Sequence, residues 1–225
     1  MTNAAGLRFQ AAIFDLDGTL LNTLEDLTDS VNEVLSDGGF PLRSLDEIRG
    51  FVGDGIAMLI RRSLPESAAG DENVAGRVAA FRKVYAKNWR AKTRPYPGVA
   101  AMLSDLAALG LPLAVLSNKS DANTKQAVAH FFPQVPFAAV LGEREGVPRK
   151  PDPAGALEIA RVLEIPPSQF LYLGDSLVDA ACARAAGMSF VAALWGFRSR
   201  AELAAASPLA LAENPAGVTA LARGE

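Results

Sequence analysis

Phe14-Asp15-Leu16-Asp17-Gly18-Thr19-Leu20 is the stretch whose reading decides the fold. It follows Gln10-Ala11-Ala12-Ile13, an apolar run that predicts a short buried strand. In a continuing strand Asp15 and Asp17 share one face, but Gly18 and Thr19 are turn residues and predict that the strand ends here. Either arrangement leaves two carboxylates at the carboxyl end of a buried strand, where open α/β sheets bind their ligands. Acids held that close are unfavourable unless a cation or a proton lies between them. The stretch therefore reads as a site.

Downstream the pattern is helical from Leu24 to about Arg94, a block of roughly 70 residues that no strand pattern interrupts. Leu24, Leu27, Val31, Val34 and Leu35 recur at helix spacing, and Gly38-Gly39 predicts the stop. Ser44 with Glu47 three residues on predicts a capping box, and Gly53-Asp54-Gly55 opens the next helix. A last helix carries Val78, Phe81, Val84, Tyr85 and Trp89. Arg94-Pro95-Tyr96-Pro97-Gly98 then punctuates the chain.

Beyond it helices and strands alternate. The predicted strands are Leu113–Leu116, Ala138–Leu141, Phe170–Leu173 and Phe190–Leu194, with a weak one at Leu209–Leu211. The helices are Val99–Leu109, Asp121–Phe131, Ala154–Leu163 and Leu177–Ala186, followed by a C-terminal one. Strands separated by helices of this length mean βαβ units and a parallel sheet. The fold class is α/β, a doubly wound parallel sheet with an inserted α-helical domain. The expected boundaries are 1–22 with 95–225 for the α/β core and 23–94 for the insert. Hinges are expected near Leu21–Thr23 and Arg94–Gly98, where the chain crosses between the two.

Parallel strands deliver their C-terminal residues to one rim. That rim would collect Asp15 and Asp17, then Ser117-Asn118-Lys119, then Gly174-Asp175-Ser176 with Asp179 one turn on, and Lys150 from Arg149-Lys150-Pro151. Hard carboxylate oxygens suit Mg²⁺, and a hydroxyl, an amide, a lysine and turn amides suit phosphate. Taken singly, each element has an ordinary reading. Asp-x-Asp is a common surface turn, Gly174-Asp175-Ser176 can simply cap a helix, and Lys150 can be a loop lysine. Only their joint placement makes a site.

The set Asp15-Leu16-Asp17-Gly18-Thr19, Ser117-Asn118, Lys150-Pro151 and Gly174-Asp175-Ser176 with Asp179 resembles the four motifs of the haloacid dehalogenase superfamily, in order and along essentially the whole chain. The helical insert resembles that superfamily's cap domain. Within it, Phe51-Val52-Gly53-Asp54-Gly55 with Leu59-Ile60, Tyr96-Pro97-Gly98-Val99 and the segment Gly174–Gly187 resemble phosphoglycolate phosphatases. The resemblance implies a Mg²⁺-dependent phosphomonoester hydrolase acting through an aspartyl-phosphate, on 2-phosphoglycolate or a similar small ester. It implies Asp15 as nucleophile, Asp17 as acid and base, and Ser117 and Lys150 as balancing charge on the phosphoryl oxygens. Metal ligands would be Asp15, Asp17 through its backbone carbonyl, and Asp175. Asp179 would partner Lys150 or stand behind the metal. Thr19 and Asn118 would hold phosphate or substrate, and Gly53 and Gly55, with groups near Arg49, would contact the substrate. The family often has Asp where Asn22 stands here, which bears on the hinge rather than the chemistry.

Alternatives remain open at this point. A sugar-phosphate phosphatase or phosphomutase shares Asp15 and Asp17, and a non-catalytic phosphate-binding protein predicts loss of one of them. A dehalogenase needs neither Asp17 nor Asp175, and a phosphonate-cleaving relative needs a lysine that Leu24–Leu42 does not contain. Composition narrows the rest. The 225 residues are half hydrophobic, with 22 Lys and Arg against 25 Asp and Glu, a formal net charge of −3 and no basic run. No nucleic-acid or membrane partner is expected. Met1–Gly6 lacks the regions of a secretion signal, and a single cysteine, Cys182, fits a reducing compartment, so a cytoplasmic location is expected. His130, the only histidine, is read as packing at a helix end, and Cys182, Trp89, Trp195 and Phe131 as packing residues. Oligomeric state is not legible.

Overall fold

The computed structural model describes residues 7–225, so the reading of Met1–Gly6 lies outside the described residues. The chain forms two compact units. The first comprises the described residues up to Leu20 together with Pro95–Glu225, and the second is Leu21–Arg94. The elements in chain order are β1 (Ala11–Phe14), β2 (Leu21–Asn22), α1 (Leu24–Asp37), α2 (Leu45–Phe51), α3 (Ile56–Ser63), α4 (Asp71–Asn88), β3 (Arg94–Pro95), α5 (Val99–Ala108) and β4 (Leu113–Ser120). They continue with α6 (Asp121–Phe131), β5 (Phe137–Glu143), α7 (Ala154–Leu163), β6 (Phe170–Gly174), α8 (Leu177–Ala186), β7 (Ser189–Ala193), α9 (Arg200–Ala205), β8 (Ala210–Ala212) and α10 (Pro215–Arg223). At both passages from one unit to the next the chain is extended, with β2 and β3 paired as a short ribbon, and the second unit begins at Leu21, two residues before the expected start at residue 23.

The first unit is built on a six-stranded sheet in the order β5-β4-β1-β6-β7-β8, with every neighbouring pair parallel. All four residues of β1 are fully buried, as a strand covered on both faces requires. One set of alternate residues, Ile13, Leu116 and Tyr172 among them, packs with Ile159 of α7 and Cys182 and Ala183 of α8. The other set, including Phe14, Val115 and Leu173, is equally buried. The alanines of α8 at 180, 183 and 186 are core residues, which lets that helix sit close on the sheet. β1 pairs with β4 on one side and β6 on the other, so strand order reverses beside it. Ligand crevices of open α/β sheets lie at such points, outside the carboxyl ends of the strands.

Besides the short strands β2 and β3 and a longer β5, the structure departs from the sequence reading at β4 and at α9. β4 runs on to Ser120 rather than ending at Leu116, because β5 pairs with it again after a register shift between Leu116 and Ser120. Helix α9 is an addition to the predicted elements, although Ser199 and Glu202 form a complete capping box at its start.

The second unit is helical. α1 packs on α2 and α4, and α3 on α2 and α4, around residues such as Val31, Leu35, Ile48, Ile60 and Phe81. The Ser44–Glu47 capping box forms as expected. The buried Asp26 carboxylate of α1 accepts from the backbone N–H of Lys92 at 2.9 Å, and from the N–H and hydroxyl of Thr93 at 2.9 and 2.7 Å. It thereby ties the end of this unit to its first helix. No helix among the described residues is long and apolar enough to cross a membrane.

Candidate active site

β1 stops at Phe14 and Asp15 donates its N–H to Leu173 O of β6 at 2.9 Å, so the carboxylate leaves the sheet at its central pair of strands. The chain then turns sharply, with the N–H groups of Thr19 and Leu20 both returning to Leu16 O. Gly18 sits at φ +90°, and a Cβ there would lie 2.3 Å from an oxygen of Asp175. Gly196, after β7, is as constrained, since its Cβ would fall 2.2 Å from that of Asp175. Glycine at both positions lets two backbone segments close on one carboxylate. Thr19 Oγ1 donates to Asp175 Oδ1 at 3.0 Å and the Phe197 N–H donates to Oδ2 at 2.7 Å.

Lys150 comes from the loop before α7 and is buried. Its Nζ donates to Leu116 O at 3.0 Å and to Asp179 Oδ1 at 2.7 Å, and lies 2.7 Å from Asp15 Oδ1. Three protons meet three acceptors. Asp179 stands in the first turn of α8, where its other oxygen takes the hydroxyl of Ser176 at 2.6 Å and completes a capping box. The helix-capping reading of Gly174-Asp175-Ser176 is thus realised, and the same Asp179 also meets Lys150.

Carboxylate oxygens of Asp15, Asp175 and Asp179 lie within 4.8 Å of one another. With Lys150 as the ammonium among them, three buried acids leave an excess of negative charge. Burial, and then Asp179, push Asp15 well above the usual carboxylate range, against the pull of Lys150. Burial and Asp179 likewise raise Asp175 to about 7, although the Phe197 N–H, Thr19 and Lys150 oppose them. Burial lowers Lys150, but Asp15 and Asp179 outweigh it and hold the ammonium above its ordinary value. A set of hard oxygen donors carrying uncompensated negative charge fits a divalent cation such as Mg²⁺.

Asp17 stands apart from this cluster. The expectation that placed it with the metal ligands used its backbone carbonyl, while its carboxylate is gripped through both oxygens by Lys119 Nζ at 3.0 Å. Asp179 takes the third place among the clustered carboxylates. Ser117 Oγ accepts the Lys119 N–H at 3.2 Å, and Asn118 Nδ2 donates to Lys150 O at 2.9 Å, both side chains being buried. Gly53 and Gly55 belong to the second unit, in the loop before α3, at φ +131° and +78°. That loop is held by Arg62, which pairs with Asp54 at 2.6 Å and donates to Phe51 O at 2.9 Å. Asn22 is exposed and its side chain accepts the Leu24 N–H.

The sequence reading brings Lys119 to the rim with Ser117-Asn118 but assigns it no role, and Trp195 and Phe197 escape it as parts of the rim. Trp195 does more than pack, since its indole N–H donates to Thr19 O at 2.9 Å and buttresses the turn after Asp17. The place of Lys119 directly after Ser117-Asn118 is the signal that could have given it a role. Nothing local marks Phe197, which acts through its backbone. Cys182 is core as expected, its thiol raised to about 11 by burial. His130 is exposed in the last turn of α6, edge-on to Phe131.

Comparison with known proteins agrees with this geometry. The family model described as haloacid dehalogenase-like hydrolase matches residues 12–193. A phosphoglycolate phosphatase of Cereibacter sphaeroides is 37% identical over 190 residues, which is 83% of this chain and 85% of that protein. One of Rhodospirillum rubrum is 34% identical over 213 residues, covering 91% of this chain and 87% of that protein. Among solved structures, a predicted phosphoglycolate phosphatase from Haemophilus somnus superposes with a TM-score of 0.89 at 28% identity, over 95% of this chain and 98% of that one.

Proposed function

The chain belongs to the haloacid dehalogenase-like hydrolase family, and from that premise we propose a Mg²⁺-dependent phosphomonoester hydrolase whose substrate is 2-phosphoglycolate. The observation that carries the reading is the buried group of Asp15, Asp175 and Asp179 around Lys150, at the rim end of the central strand. In this reading Asp15 attacks phosphorus through a carboxylate oxygen, forming an aspartyl-phosphate and expelling the alkoxide. Asp17 gives that alkoxide a proton, then takes one from the water that cleaves the acyl phosphate. Lys150 orients Asp15 through its 2.7 Å contact and balances the charge that gathers there. The Ser117 hydroxyl, Thr19 and the Asn118 amide line the rim on which the phosphoryl oxygens rest. Asp15, Asp175 and the Asp17 carbonyl would hold the cation, which offsets the charge repulsion between carboxylate and phosphate.

The test is phosphate release from a panel of esters, 2-phosphoglycolate, hexose phosphates and nucleoside monophosphates, each with Mg²⁺ and with chelator. Metal-dependent turnover led by 2-phosphoglycolate supports the reading. Turnover led by a sugar phosphate keeps the chemistry and replaces the substrate. Conversion of a sugar phosphate to its isomer without release makes the protein a phosphomutase.

Cation binding has its own expected signature. Asp175 keeps its proton to about 7 when folded, against 3.8 as its ordinary value. Its folded value being the higher, this group takes stability from the metal-free protein as pH rises across that interval. A cation must displace the same proton. Saturating Mg²⁺, at roughly a hundred times its dissociation constant, is therefore expected to stabilise by about 2.7 kcal/mol at pH 8 and by clearly less at pH 5.5. Thermal melts at the two pH values, with and without Mg²⁺, read it. A shift that is absent, or larger at the lower pH, removes the carboxylate cluster as the binding site.

A further inference from the structure

We propose that Lys119 is a positioning residue for Asp17, and that the irregular end of β4 serves to aim it. The proposal rests on the reading of Asp17 as proton donor to the leaving oxygen. Lys119 and Asp17 are 102 residues apart, yet the ammonium reaches both carboxylate oxygens at 3.0 Å. The side chains are only 9% and 15% exposed, so water does little to loosen the pair. A grip on both oxygens fixes the plane of the carboxylate, whereas a bond to one would leave it free to turn.

The backbone under Lys119 is anchored from several sides. The pairing of β4 with β5 shifts register between Leu116 and Ser120, and such irregularities redirect side chains at sheet ends. The Lys119 N–H donates to Ser117 Oγ at 3.2 Å, and its carbonyl accepts the Thr124 hydroxyl of α6 at 3.2 Å. Gly142 of β5 comes so near that a Cβ would stand 2.6 Å from Lys119 O and 2.5 Å from Asp121 Cα. The Gly142 N–H in turn donates to Asp121 Oδ1 at 3.0 Å. Strand, neighbouring strand and following helix therefore all fix the point from which the lysine reaches across to the turn after β1.

Asp17 is needed most where the leaving group is a poor one. An alkoxide must be protonated as its bond to phosphorus breaks, while p-nitrophenolate departs without a proton. Misplacing Asp17 thus penalises alkyl esters selectively. A lysine that merely holds the fold together would, when removed, reduce turnover of both.

The experiment compares kcat/KM for 2-phosphoglycolate, or the best alkyl ester of the panel, with that for p-nitrophenyl phosphate. General acid assistance contributes about 10²–10⁴-fold, so Lys119→Met is expected to lower the alkyl value about 10²-fold and the aryl value at least about tenfold less. Lys119→Arg, which keeps the charge, should recover part of the alkyl rate. In an Asp17→Asn background Lys119→Met should cost nothing further, because the group it positions is gone. Equal losses on both esters, or an added loss in that background, overturn the proposal. So does a raised KM with kcat intact, which would make Lys119 a substrate ligand. If Lys119→Met does not fold, Lys119→Gln carries the same comparison. A wild-type protein that releases phosphate from no ester fails at the underlying reading instead, and that result is separate from any of these.

Discussion

Asp15→Asn is expected to lower phosphate release by about 10⁴-fold or more, as loss of a nucleophile does, while the metal-free protein melts no lower than wild type. The two halves of that result have one cause. Asp15 is buried beside Asp179 and Asp175, and these influences outweigh Lys150, so its charged form is held at a cost. An amide of the same shape carries no charge to bury, and Lys150 keeps Asp179 and Leu116 O as partners. A carboxyl whose folded value is raised above the ordinary 3.8 costs the fold stability as pH rises through that window, and asparagine does not. The gain in melting temperature should therefore be larger at pH 8 than at pH 5, and Mg²⁺ should stabilise the variant less than wild type. Active sites commonly trade stability for chemistry in this way. More than about one part in a hundred of wild-type turnover remaining would remove Asp15 as the attacking group. A lower melting temperature would mean that the carboxylate serves the fold after all.

Much of this architecture is legible in the chain because local signals agree with one another. α6, α7 and α8 begin and end where punctuation and periodicity place them, and β1 and β6 are fully buried runs bounded by turn residues. The Ser44–Glu47 capping box is a four-residue pattern that needs no tertiary context. The Ser199–Glu202 pair has the same spacing, so α9 is open to the same reading. What the chain does not display is which strands become neighbours. Lys119 meets Asp17, and the Phe197 N–H meets Asp175, only because β1 lies between β4 and β6 with β7 beyond. The run-on of β4 past Leu116 has the same origin, since the added residues are extended through β5 rather than by their own propensity. Strand ends can be read one at a time, but partners across the rim require the topology.

Lys150→Met is expected to cost about 3–5 kcal/mol of stability without metal at pH 8, the effect of leaving buried charges without their partner. For a chain of this size that lowers the melting temperature by roughly 10 °C, with turnover lost as well. The size reflects what the ammonium does, since its three protons go to Leu116 O, Asp15 and Asp179. Without it, Asp15, Asp175 and Asp179 face one another with no cation, and their protons become harder still to remove. The deficit should then shrink as pH falls and the carboxyls protonate, and shrink again when Mg²⁺ is added at pH 8. Lys150→Arg should not restore the protein, because a planar guanidinium cannot satisfy acceptors arranged around a compact ammonium. A lysine whose task is only to touch a phosphate oxygen behaves differently. Its loss would raise KM and leave the melting temperature and its pH dependence where they were. The melt therefore separates two roles that a rate measurement alone merges, and the geometry at Leu116 O, Asp15 and Asp179 favours the lysine that holds the nucleophile in place.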